Sequence, residues 1–214
     1  MTPPSTIAGV LLAGGLSRRM GGGDKSLCTV GGMPILARVI ARARPQVAAL
    51  VLNANGDPAR FREFGLPVVS DSVPDFAGPL AGVLAGLDWA AANVVGATHV
   101  ASFATDTPFL PLDLVARLTA AVSDGKHDLA CAASNGRSHP VFGLWPLDLR
   151  EDLRVALNSG MRKVDQWTAR HRLAVVEFSA DVYDPFFNAN TPEDLNEGEK
   201  VSRAADATRR VAPG

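Results

Sequence analysis

Between Leu11 and Ser26 the chain reads LLAGGLSRRMGGGDKS, with five glycines, two arginines and one lysine in one loop. Glycines let backbone N–H groups approach an anion, and Arg19 and Lys25 add charge, so this composition suits a cradle for phosphates. It departs from GxxxxGK[ST], because Asp24 precedes Lys25, and from GxGxxG, because Ser26 takes the last glycine position. A surface loop with scattered charge is the competing reading. Asp106, in FATDTPFLP, ends an apolar run. A carboxylate there suits Mg2+, which takes few protein carboxylates and completes its shell with phosphate and water. A turn cap before Pro108 is the alternative. Asn53 and Asp71 also end apolar runs, and each alone reads as a solvated cap. Asn188 and Asn190, in FFNANTPEDL, stand before a helix start and read from the residues alone as turn residues. His139, before Pro140, either faces a ligand or fills a loop. His99, His127 and His171 have no ligand spacing, and no serine sits in GxSxG, so no nucleophilic triad is expected.

These residues need elements to hold them. Ile7 to Ala13 is a continuous apolar run, the pattern of a strand buried on both faces of a parallel sheet. PILARVIARARP has apolar residues at helical spacing between two prolines. VAALVLNAN predicts a second strand, DPARFREFG a short helix capped by Asp57, and LPVVSDS a third strand. GPLAGVLAGLDWAAAN predicts a helix, ATHVASFATDTPFLP a fourth strand, and PLDLVARLTAAVSDG an amphipathic helix. The alternation gives a three-layer α/β/α, Rossmann-like fold with a mostly parallel central sheet. In such a sheet, ligands bind at the carboxyl ends of the strands. The opening loop, Asn53, Asp71 and Asp106 are four strand ends on one rim, and four coincident caps is the poorer explanation. The second half is smaller, less regular and contains β structure: two strands around Asn135-Gly136, a hairpin dipeptide, then helices and the strand LAVVEFS. TPEDLNEGEK begins a helix with Thr191 as cap. We expect one domain over 1–198, with a nucleotide-binding half at 6–127, an acceptor-binding half at 128–198 and a flexible tail at 199–214.

Bulk properties narrow the function. The 214 residues are 47% apolar with net charge −1, enough for one core and without the basic field of a nucleic-acid binder. Cys28 and Cys131 form no CxxC, which fits a reducing, cytoplasmic setting. No basic segment precedes the first apolar run, and no run reaches membrane-spanning length.

LAGGLSRRMGGGDKSL resembles the signature of the sugar-nucleotide-type nucleotidyltransferases. NAN, SDSVPDFAGPLAGVLAGL, ATDTPFLP, HPVFGLW, RKV and NANTPEDL follow in order, and together they resemble the molybdenum cofactor guanylyltransferases over residues 7–197. Thr105 stands where many relatives carry Cys. The resemblance implies transfer of GMP from GTP to the terminal phosphate of a molybdopterin-type cofactor, with release of pyrophosphate and dependence on Mg2+. It implies that Leu12, Ala13, Gly14 and Gly15 line the GTP site and that Arg19 and Lys25 contact the triphosphate. Asn53 and Asp71 would bind the nucleotide, Gly78 would approach the base, and Asp106 would hold the metal. It moves Asn188 and Asn190 from caps to the pterin side or the metal environment. Cofactor-insertion proteins or molybdoenzyme chaperones are implied partners. The rivals are a cytidylyltransferase or sugar-phosphate nucleotidyltransferase of the same fold, and a GTP-binding adaptor without catalysis. A dinucleotide-dependent oxidoreductase lacks its GxGxxG.

Overall fold

A computed structural model describes residues 6–13, 28–73, 78–189, 191 and 193–201. Its centre is a seven-stranded sheet. The strands are β1 (Thr6–Leu12), β4 (Ala49–Asn53), β5 (Val68–Val69), β6 (Ala97–Ala104), β7 (Leu129–Ser134), β8 (Arg137–Pro146) and β9 (Leu173–Glu177), in the order β5-β4-β1-β6-β8-β7-β9. A small hairpin, β2 (Thr29–Val30) with β3 (Met33–Pro34), stands apart. All neighbours in the sheet are parallel except at β8, which is antiparallel to both β6 and β7. The carboxyl ends of β1, β4, β5, β6, β7 and β9 therefore share one rim with the start of β8. The second half is thus more regular than its sequence suggests, because its three strands extend the same sheet.

The continuous apolar runs are explained by two buried faces. Leu11, Leu50, Leu52 and Phe103 pack with Ile35, Leu36 and Val39 of α1 (Ile35–Ala43) and with Leu114, Val115 and Leu118 of α3 (Leu114–Val122). Ala8, Val10, Val51 and Val100 face the other way. They meet α2 (Pro79–Asn93), Leu153 and Leu157 of α4 (Arg150–Asn158) and Trp167 of α5 (Val164–Thr168). α2 is apolar nearly all round because it lies between the sheet and α4. Two of its glycines allow close approach: a Cβ on Gly86 would meet Val10 Cβ at 2.7 Å, and one on Gly82 would overlap Asn53.

Local signals hold where turn chemistry is strong. Asn135 and Gly136 have φ of 50° and 71°, the left-handed pair a two-residue hairpin needs. The DPARFREFG segment forms a 3-10 helix, Pro58–Phe64, with Asp57 accepting from Ala59 N at 2.9 Å. Thr191 and Asp194 exchange capping hydrogen bonds before the last helix, residues 193–201. That helix reaches into the stretch expected as tail: Glu199 accepts from Gly31 N at 2.6 Å, tying it to the β2–β3 hairpin. Among the described residues, no helix is long and apolar enough to cross a membrane.

Candidate active site

The end of β1 lies at the point where strand order reverses, between β4 and β6. Ala13 N donates to Asn53 O at 2.9 Å on one side, and Thr105 Oγ1 donates to Leu12 O at 3.3 Å on the other. Leu12 and Ala13 are therefore held from both neighbouring strands. Gly14, Gly15, Arg19, Lys25 and Asn190 lie outside the described residues.

Asn53 is 2% exposed, so it is no solvated cap. Its Nδ2 donates to Asp71 Oδ1 at 3.0 Å, across from β4 to the end of β5. Asn55 completes the arrangement. Its Nδ2 donates to Asp71 Oδ2 at 2.7 Å, and its Oδ1 accepts from Asp71 N at 3.0 Å. Two amides thus fix the carboxylate plane, and lone pairs on both oxygens remain for N–H or O–H donors of a ligand. Read from the sequence, Asn53 and Asp71 have a candidate binding role, and Asn55 only a place at the polar end of the same strand. Its signal was the NAN spacing, which puts two amides on the same face of an extended chain. Gly78, at the start of α2, lies beside the α4–α5 connection: a Cβ there would sit 3.8 Å from Arg162 O.

On the other side of β1, half-buried Asp106 follows β6. Its carbonyl accepts from Ala189 N at 2.9 Å, which draws the 184–189 segment across the rim. Thr107, fully buried, places Oγ1 2.7 Å from Asn188 Oδ1 and 3.5 Å from Asp106 Oδ1. Asn188 is thus not a turn residue of the last helix. It is an exposed side chain held beside Asp106. Sequence reasoning passed over Thr107 because a buried hydroxyl gives no local pattern.

At the far end of the same segment, Ser134 Oγ lies 2.7 Å from His139 Nε2 and 2.8 Å from Asp184 Oδ1. The hydroxyl donates to the carboxylate, so Nε2–H donates to the hydroxyl. His139 packs on the Phe186 ring at 4.6 Å between centroids. Burial pushes the His139 pKa below its ordinary value, against the opposing pull of Asp184. In the order Asp–Ser–His the imidazole donates to the hydroxyl and cannot act as its general base. This trio is therefore a structural tie and not a nucleophilic centre.

The MobA-like NTP transferase domain matches residues 9–174, which run from β1 through the β7–β8 hairpin that carries His139 into β9. The chain belongs to this family. It is a nucleotidyltransferase of the three-layer α/β class. A molybdenum cofactor guanylyltransferase of Bradyrhizobium sp. (strain ORS 278) is 58% identical over 209 residues, covering 96% of this chain and 99% of its own. One from Cereibacter sphaeroides is 47% identical, covering 91% and 96%. Among solved structures, the molybdopterin-guanine dinucleotide biosynthesis protein A of Archaeoglobus fulgidus superposes with a TM-score of 0.71 at 21% identity, covering 92% of this chain and 99% of its own. A 4-diphosphocytidyl-2C-methyl-D-erythritol synthase from Anaerococcus prevotii superposes at 0.69 with 13% identity, covering 93% and 99%. The last two similarities concern the fold alone.

Proposed function

We propose that this MobA-like transferase moves GMP from GTP to the terminal phosphate of a molybdopterin-type cofactor and releases pyrophosphate. The observation that carries the reading is the 58% identity to a molybdenum cofactor guanylyltransferase across 96% of the chain. The rim supports it by placing a fixed carboxylate, Asp71, on one side of the β1 end and a second, Asp106, on the other.

An oxygen of the acceptor phosphate attacks the α-phosphorus of GTP in line. The bond from that phosphorus to the β-phosphate oxygen breaks, and its electron pair leaves with pyrophosphate. A phosphate monoester is already an anion near neutral pH, so no base is needed. The barrier is charge repulsion and alignment, and catalysis is chiefly positioning and electrostatic stabilisation. Leu12 to Gly15 line the nucleotide, with Asn53 and Asp71 on it and Gly78 toward the base. Arg19 and Lys25 stabilise charge on the transferring and leaving phosphates. Asp106 offers a hard oxygen donor in a half-buried position, which fits a divalent cation such as Mg2+, with Asn190 as a candidate neighbour. When bound, that cation offsets phosphate charge and aligns the oxygens.

The test is pyrophosphate release from purified protein with Mg2+ and molybdopterin, comparing GTP, CTP, ATP and UTP. Release with GTP alone is expected. Release with CTP overturns the base assignment, and binding of GTP without release overturns the enzyme reading in favour of an adaptor. The same proposal places the reaction in the cytoplasm. It makes cofactor-insertion proteins or molybdoenzyme chaperones the recipients, and a pull-down with loaded protein that recovers none of them counts against that hand-over.

A further inference from the structure

Thr107 and Asn188 have opposite environments. Thr107 is fully buried, whereas Asn188 is exposed on the rim beside Asp106. The threonine hydroxyl carries one proton and has two oxygens within range. Asp106 Oδ1 is 3.5 Å away, too long for an O–H···O bond, and Asn188 Oδ1 is 2.7 Å away, the usual length of one. The proton therefore goes to Asn188. The amide oxygen is turned into the protein, and the NH2 group is left on the exposed side.

We propose that Thr107 is a positioning residue that holds Asn188 with its NH2 group on the rim, so that Asn188 donates to an oxygen of the acceptor phosphate and does not ligate the metal. An amide binds a cation through its oxygen, and the bond to the buried Thr107 hydroxyl turns that oxygen into the protein and away from the rim. An NH2 group beside a carboxylate-held cation suits an anion that reaches the cation from the same side. The triphosphate is assigned to the loop after β1. Asn188 lies on the opposite flank of Asp106, carried by the segment that runs back to β7 and β8, so the anion it meets is the incoming phosphate. Thr107 and Asn188 are 81 positions apart, and their bond ties the end of β6 to the acceptor half. This inference rests on the proposed placement of the cation at Asp106.

The experiment measures Mn2+ binding to the protein–GTP complex by electron paramagnetic resonance, alongside steady-state kinetics with molybdopterin and GTP varied separately. Asn188→Ala is expected to raise the molybdopterin KM by about tenfold or more, the typical effect of losing one hydrogen bond to a charged group. It should leave the GTP KM and the Mn2+ affinity within about twofold of the parent, because no metal bond is lost. Thr107→Val keeps the volume, frees the amide to turn, and should raise the molybdopterin KM in the same direction. Thr107→Ser restores the hydroxyl and should recover most of the loss, which separates orientation from packing. Mn2+ affinity that falls in Asn188→Ala as it does in Asp106→Ala overturns the proposal and makes Asn188 a ligand. An unchanged molybdopterin KM in Thr107→Val also overturns it. Mn2+ binding that survives Asp106→Ala refutes instead the underlying placement of the cation.

Discussion

Gly82→Ala tests whether the floor beneath the nucleotide side is set by close packing. Gly82 lies in α2, and a Cβ there would stand 2.8 Å from Leu12 Cδ2 and 3.1 Å from Asn53 Cγ, with Asn53 Oδ1 nearer still. Real Cβ atoms do not occupy such positions, so Asn53 must turn. Asn53 is almost fully buried, and turning it breaks its 3.0 Å bond to Asp71. Overpacking costs about 1–3 kcal/mol, and replacing a helical glycine with alanine returns about 1 kcal/mol, so net destabilisation is about 0–2 kcal/mol. In a chain of this size each kcal/mol lowers Tm by about 2–4 °C. Asp71, no longer held, loses its hydrogen bond to the nucleotide; one such bond to a charged group is worth about 1.5–3 kcal/mol, or roughly a 10- to 150-fold loss of GTP affinity. Gly86→Ala is the control. Its Cβ would meet Val10 at 2.7 Å on the same helix face, but no polar group is involved. It should also lower Tm while leaving GTP affinity near that of the parent. Calorimetric GTP titration and thermal melting on both variants give the answer. A Gly82→Ala protein that binds GTP within about twofold of the parent, or a Gly86→Ala protein that loses as much affinity, would refute the argument.

Asn55→Ala removes two hydrogen bonds that orient Asp71, so GTP affinity should fall by about tenfold with little change in Tm, because Asn55 is exposed; equal affinities in a titration would count against it. Asp106→Ala and Lys25→Ala should each keep the parent's circular dichroism yet lose turnover by on the order of a hundredfold, and near-normal turnover in either would remove that residue from the mechanism. His99 and His139 are both pushed below their ordinary values, chiefly by burial, with Asp148 opposing at His99 and Asp184 and Glu177 opposing at His139, where Arg137 adds to the depression. Below the unfolded value, about 6.5, the unfolded chain binds protons that the fold resists, so this contribution to stability is present at neutral pH and is lost as pH falls. Melting curves from pH 7.5 down to 5 should show Tm falling less steeply in His139→Gln than in the parent, and an identical slope would exclude His139 as a contributor.

Much of this protein was decided locally. Apolar runs that ended in Asn53, Asp71 and Asp106 marked strand ends, because a strand buried on both faces tolerates polar side chains only where it leaves the sheet. The same runs, alternating with helical spacing, marked the three-layer fold, and Asn135-Gly136 marked a hairpin through backbone preferences of its own. The opening loop, which from Gly14 to Ser26 lies outside the described residues, reads as an anion cradle from its composition alone. Partnership was a different matter, because it depends on strand order, and strand order is set by how two helical layers cover the whole sheet. Asn53 and Asn55 grip Asp71 only because β4 and β5 are neighbours. β7, β8 and β9 look irregular as separate segments, and tertiary packing makes them one sheet with the first half. Asn188 reads from the residues alone as a turn residue, and its hydrogen bond with Thr107, far away in the chain, is not visible there. A hydrogen bond between distant residues leaves no periodic trace along a chain, so such pairings exist only in the folded molecule.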